Sequence, residues 1–209
     1  YSYWRSSASY RVRIALALKG IVYKQETVSL IDGAHKQSEF LALNPQGVLP
    51  AFRTDVGDIL TQSVPIIEYL EDTFPDAPAL FPGDAVMRAR ARAFAAVITC
   101  DTHPIQNLSV LKYLRAEFGQ DDEAVGAWCR HWISNGLATL EPVAAARKTA
   151  FVFGDQPGLA EACLVPQLYN ARRFDVDLSV FPALREIDGA CASLAAFEQA
   201  HPQAQPAAP

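Results

Sequence analysis

The sequence predicts a chain in two parts, a small mixed α/β sheet domain followed by an all-helical one. Up to about residue 82, short β-like runs alternate with helical ones, and beyond it almost no β signal remains. Between them lies Phe74–Asp84, where Pro75, Pro78 and Pro82 mark a linker. The predicted domains are therefore 1–81 and 82–209.

Each element has a local reason. Tyr1–Tyr3 can be a short strand. Ser9–Lys19 carries Val12, Ala15 and Leu16 at near-helical spacing and stops at Gly20, as a helix should. Val22–Val28 alternates and contains Tyr and Thr, the pattern of a strand. Asp32–Leu43 is a polar loop leading into a weak helix. Leu49–Arg53 and Ile59–Thr61 flank a turn containing Gly57 and predict a hairpin. Ser63–Phe74 is a helix with Ser63 as N-cap, Pro65 in its first turn and Ile66, Ile67, Tyr69 and Leu70 as its apolar positions. This order, βαβ then ββα, predicts a mixed four-stranded sheet with helices.

After the linker, Ala85–Phe118 is a long helical pattern that bends near Pro104. Asp121 to about Leu140 is a second, with Trp128, Trp132 and Leu140 on one stripe. Gly158–Tyr169 opens a third, and Glu161 sits at the third position of a capping box whose cap is Gly158. Pro182–Gln199 makes a fourth, and the Pro/Ala/Gln-rich tail from Pro202 is expected to be loose.

Bulk properties narrow the function. Of 209 residues, half are hydrophobic and a fifth charged, which is ordinary for a soluble globular protein. The formal net charge of −5 argues against nucleic acid as a partner. No apolar run approaches the ~20 residues of a membrane span, and no signal-peptide pattern is seen. Cys100, Cys129, Cys163 and Cys191 are widely spaced without a CxxC pair. They predict reduced thiols in a cytoplasmic protein with no metal site.

Three stretches could carry chemistry. Arg5-Ser6-Ser7-Ala8-Ser9 lies where a strand hands over to a helix. A helix N-terminus has unpaired N–H groups and a partial positive charge, so it favours an anion, to which Ser6 or Ser7 could donate. Capping alone also accounts for these serines. Asn44-Pro-Gln-Gly-Val-Leu-Pro50 precedes the hairpin. Pro50 is a candidate cis proline, and the Leu49 main chain before it could pair with an extended, peptide-like ligand. A plain loop-to-strand junction is the alternative. Gln62-Ser63 begins the next helix and offers a second anion site, with capping again the simpler account.

Several motifs, in order along nearly the whole chain, resemble the zeta class of glutathione transferases, which includes maleylacetoacetate and maleylpyruvate isomerases. They are Arg5–Leu16, Asn44-Pro45 with Leu49-Pro50, Gln62-Ser63 with Ile67-Glu68-Tyr69-Leu70, and Asp101 with His103–Leu108. Cys163–Gln167 and Asn170–Leu178 continue the match. The resemblance implies a thioredoxin-like first domain, an all-α second domain, a homodimer and glutathione as cofactor. By position, Ser6 matches the serine that hydrogen-bonds the glutathione thiol, and Ser7 the serine after it. Ala8 stands where the family has cysteine. Leu49, before Pro50, matches the residue that pairs with the cysteinyl main chain, and Gln62 and Ser63 the pair at the γ-glutamyl end. His35 falls near the glycyl carboxylate.

The implied reaction is cis–trans isomerisation of a dicarboxylic diketo acid, maleylacetoacetate or maleylpyruvate, in aromatic-compound catabolism. Arg5 would stand beside the thiol, and Arg173 would reach the substrate from the helical domain, with Arg172 its near neighbour. His103 and Asn107, one helical turn apart on one face, would line the cleft or reach glutathione; a satisfied buried histidine fits His103 equally. Leu108 and Ser109 after Asn107 resemble the maleylacetoacetate enzymes, whereas Thr102-His-Pro104 resembles the maleylpyruvate ones. Two alternatives remain: a general transferase that conjugates or dehalogenates small electrophiles, and a non-catalytic binding protein of the same fold.

Overall fold

A computed structural model describes residues 1–206. It divides into two compact units, Tyr1–Leu80 with Ala192 onward, and Phe81–Cys191.

In the first unit, helix α1 (Ser7–Leu18) buries Tyr10, Val12, Ile14, Ala15 and Leu16. It packs against α3 (Ser63–Thr73), whose Ile66, Ile67 and Leu70 are fully buried, and against α9 (Ala195–Ala200). Arg13 of α1 is also buried. Its guanidinium donates to the carbonyls of Ala200 and Trp4 at 3.0 Å each and to Ser2 Oγ at 3.2 Å, so it fastens the chain's two ends to α1. Burial pushes Arg13 down to about 10. A second apolar cluster gathers Tyr3, Trp4, Phe40, Leu49 and Ala51, with Phe40 supplied by the short α2 (Ser38–Leu41).

The hairpin forms as predicted. β1 (Ala51–Arg53) pairs antiparallel with β2 (Ile59–Thr61), Ala51 opposite Thr61 and Arg53 opposite Ile59. The four-stranded sheet does not. Among the described residues the remaining pairing is one isolated parallel bridge, Ser2 with Thr27, made by Ser2 N–H to Glu26 O and Val28 N–H to Ser2 O, both 2.8 Å. A strand over Val22–Val28 is thus a correction. The stretch leaves α1 at Gly20 with a positive φ of 66° and runs out into solvent, where Val22 is 97% exposed. Its earlier residues line a cavity of about 700 Å³ with Val12, Phe52 and Tyr69 instead of a neighbouring strand.

The second unit is helical, as predicted. Helix α4 (Ala85–Ala96) continues into a π-helical turn, Val97–Thr102, and then a 3-10 turn, Pro104–Gln106, before α5 (Leu108–Phe118). Pro104 has no N–H to continue an α ladder, so the bend falls there. The π turn lies so close to α6 (Asp122–Ala145) that a Cβ on Gly136 would stand 2.2 Å from Thr102 Oγ1. α6 runs beyond Leu140, through Pro142, to Ala145. Helix α7 (Leu159–Arg173) packs on α4 and is buried along most of its length. The predicted fourth helix is two, α8 (Pro182–Ala192) and α9. Of the tail, Pro202–Ala204 forms a 3-10 turn, and residues 207–209 lie outside the described residues. No described helix is long and apolar enough to cross a membrane.

Candidate active site

The N-terminus of α1 is built by Ser6. Its backbone is extended (φ −67°, ψ 116°), and its Oγ accepts from Ser9 N–H at 3.2 Å. Capping uses a lone pair and leaves the hydroxyl proton to donate to something else. Capping and anion binding are therefore compatible at Ser6. No acidic residue lies in the first turn, so no local carboxylate offsets the positive end of this helix. Ser7 follows as the first helical residue and is buried. The Arg5 guanidinium stands 5.3 Å from the Trp4 ring centroid, a cation–π contact that steadies its stem.

The second helix start is tied to the first. Arg11, on α1, donates from Nη1 to Ser63 Oγ at 3.2 Å. Ser63 is the first helical residue, with Gln62 at the cap and no side-chain cap bond, which corrects its expected place as N-cap. It is only 5% exposed, and by accepting from Arg11 it keeps its proton for donation. Gln62 before it has φ 69° and ψ 127°, a region that costs a non-glycine residue about 1–3 kcal/mol. Its side chain donates to Gln46 Oε1 at 2.8 Å, and Lys36 Nζ donates to the Gln46 carbonyl at 3.2 Å. An Asx turn holds Gln46, with its N–H on Asn44 Oδ1 at 3.1 Å. Lys36 and Gln46 were not predicted. Gln46 lies inside the Asn44–Pro50 motif and Lys36 adjoins His35, but nothing local showed that the two loops meet.

Leu49 precedes a cis peptide bond to Pro50. It is buried, yet among the described residues its N–H and carbonyl make no hydrogen bond. Buried main-chain groups are nearly always paired, so a partner from outside the chain fits here. His35 lies buried in a 3-10 turn, Ala34–Lys36, with Nδ1 3.5 Å from the Ser29 carbonyl.

In the helical unit, Arg173 ends α7. It donates from Nη1 to Asn170 Oδ1 at 2.7 Å and lies 5.5 Å from the Phe174 ring centroid. Arg172 is distinguished from it by an ion pair with Asp188. His103 and Asn107 do not share a helical face, which corrects that expectation. His103 closes the π turn with its N–H on Ile98 O at 2.8 Å, the 3-10 turn intervenes, and Asn107 is extended (φ −69°, ψ 153°). Asn107 begins α5, but its side chain makes no cap bond and the first turn has no acid. Burial pushes Cys129 up to about 11 and raises Cys191 as well.

Residues 1–78 match the family model described as the N-terminal domain of glutathione S-transferase. That assigns the class of the first unit. The maleylacetoacetate isomerase of Pseudomonas aeruginosa is 50% identical across 100% of this chain and 98% of its own length. A holo structure of maleylpyruvate isomerase, a bacterial zeta-class enzyme, superposes with a TM-score of 0.95 at 47% identity, covering 99% and 98% of the two chains. The maleylacetoacetate isomerase of Methylobacterium extorquens, crystallised with malonate and glutathione, gives the same TM-score at 38% identity, covering 99% and 97%. The chain belongs to the zeta class of glutathione transferases, in the family of maleylacetoacetate and maleylpyruvate isomerases.

Proposed function

We propose that the chain is a glutathione-dependent cis–trans isomerase of maleylacetoacetate or maleylpyruvate, working in aromatic-compound breakdown as a cytoplasmic homodimer. Residues 1–81 form its glutathione domain and 82–209 carry its substrate domain, although the stretch from Ala192 packs with the first unit. The observation that carries this is the start of α1, where Ser6 caps the helix and still has a proton to give, with no acid in the first turn.

Glutathione suits the donor set: a main chain at Leu49 without partners, hydroxyls on Ser6 and Ser63 with protons to donate, and two helix starts without acids. When bound, glutathione supplies a thiolate that adds reversibly to the cis double bond and leaves after rotation about the resulting single bond. The chain's own residues set the conditions. Ser6 donates its hydroxyl to the sulfur, and the α1 N-terminus favours negative charge there. Ser7 lies beside it. Leu49 pairs main chain to main chain ahead of Pro50, Gln62 and Ser63 hold the γ-glutamyl end, and His35, His103 and Asn107 make further cofactor contacts. Arg5 stabilises the charge that develops on the substrate carbonyl, and Arg173 takes a substrate carboxylate. The malonate held by the M. extorquens relative together with glutathione supports a dicarboxylate in that role.

Ala8 stands where the resemblance to the zeta class implies a cysteine, so at this position the sulfur that isomerises is that of glutathione and not the chain's own. A spectrophotometric assay with both cis acids, with and without glutathione, tests the reading. Turnover without net glutathione loss is expected. Net consumption would favour the general transferase, and failure to bind glutathione would favour the non-catalytic alternative.

A further inference from the structure

Three side chains of the helical unit form a relay with one direction. Arg173 Nη1 donates to Asn170 Oδ1, and Asn170 Nδ2 donates to Gln106 Oε1. The direction is forced. A guanidinium only donates, so Asn170 must turn its oxygen to Arg173 and its nitrogen to Gln106, which must answer with oxygen. Asn170 is 6% exposed and Gln106 5%. The Gln106 Nε2 group, left over by this arrangement, has no hydrogen-bond partner among the described residues. A buried amide with an unmade bond is costly, and an apolar side chain would fill the same space without that cost. The cost makes sense if the relay does something other than stabilise the fold.

The relay aims a guanidinium. Asn170 lies in the last turn of α7, three residues before Arg173, and Gln106 comes from the 3-10 turn before α5. The Asn170 amide is thus locked by a second element, and one N–H of the Arg173 fork is fixed in turn. The neighbouring Arg172 has its own acceptor in Asp188. We propose that Asn170 and Gln106 are positioning residues, which hold the Arg173 guanidinium in the orientation that receives a carboxylate of the dicarboxylic substrate. The proposal rests on the reading of Arg173 as the substrate arginine. A fork oriented in advance loses less freedom when it forms a paired, bidentate contact.

The test is isomerase kinetics at saturating glutathione for Gln106→Met, Gln106→Glu, Arg173→Ala and the double variant Gln106→Met/Arg173→Ala, with thermal midpoints measured alongside. Methionine keeps about the volume of glutamine but offers Asn170 only a weak thioether acceptor in place of the amide oxygen. Gln106→Met should raise KM for the diacid about tenfold, with KM for glutathione unchanged. Gln106→Glu keeps an acceptor and should stay within about threefold of the parent. In the Arg173→Ala background Gln106→Met should add nothing to the diacid KM, because the group it positions is gone. Should Gln106→Met fail to fold, Asn170→Ser, too short to bond both partners, takes its place with the same expected outcome. An unchanged diacid KM in Gln106→Met, or a rise that persists in the double variant, overturns the positioning role. An unchanged diacid KM in Arg173→Ala overturns instead the assignment of Arg173 to the substrate.

Discussion

The helix starts of the two units differ in what supplies their negative charge. In the helical unit, α4 begins on Asp84, whose Oδ1 accepts from Met87 N–H at 2.9 Å, and α6 on Asp121, which accepts from Ala124 N–H at 2.8 Å. α7 is closed by Glu161, 2% exposed, whose two oxygens take the N–H groups of Gly158 and Val152 at 2.8 Å each. α8 is capped from another helix, with Glu141 of α6 accepting from Ala183 and Leu184. In the first unit, α1 and α3 have no acid at the cap or in the first turn. A helix N-terminus favours an anion wherever it occurs. When the chain provides one, the positive end is offset from within; at α1 and α3 the proposed function has glutathione provide it. α5, open at Asn107, is the helical unit's exception, and it lies in a stretch assigned to the cofactor.

The largest expected effect breaks an open start. Ser6→Ala should lower kcat/KM about 100-fold or more, as loss of a single donor to developing charge does. Its stability should fall by only about 1 kcal/mol, the cost of a cap. Undiminished turnover in a steady-state assay would remove Ser6 from the chemistry.

Next comes a closed start. Glu161→Ala strips acceptors from two backbone donors at a buried position, so urea unfolding should show a loss of about 2–4 kcal/mol. Glutathione affinity of the folded fraction should be unchanged; weaker binding at full stability would reverse the assignment of open and closed. Asp121→Ala sharpens the contrast with Ser6. It should cost a similar ~1 kcal/mol with kinetics untouched.

Smaller effects follow. Ala8→Cys should leave the isomerisation rate nearly as it was, and a large gain in the same assay would give a protein thiol a part in the reaction. The last is a pH dependence. Burial pushes the Glu161 carboxyl up, against the pull of the backbone N–H groups it accepts. The folded state then holds its proton more tightly than the unfolded one. Stability from this group is full below the ordinary glutamate range and falls as pH rises through the higher folded value. Unfolding free energy measured against pH, parent minus Glu161→Gln, should decline over that window; a rising difference would contradict the shift.

How much could be read in advance depended on distance along the chain. The cap at Ser6, the Gly57 turn, the change of helix type around Pro104 and the Glu161 box are set largely by residues within about a turn of one another. Their defining hydrogen bonds, Ser9 to Ser6, Gly57 to Thr54, His103 to Ile98 and Gly158 to Glu161, close over three to five residues, so the sequence alone determined them. What failed or was missed involves partners far apart. Val22–Val28 has the composition of a strand, but a strand needs a neighbour along its length, and here only Thr27 finds one, at Ser2. The Lys36, Gln46 and Gln62 cluster, the Arg11–Ser63 bond, the Glu141 cap and the Gln106–Asn170 link of the relay each join residues 10 to 64 positions apart. Only the tertiary structure could decide those, because it alone determines which buried donors meet which acceptors. The serine at the head of α1 belongs to both lists. Its place as a cap is local, but that its proton and its helix end are left open is a property of the folded chain.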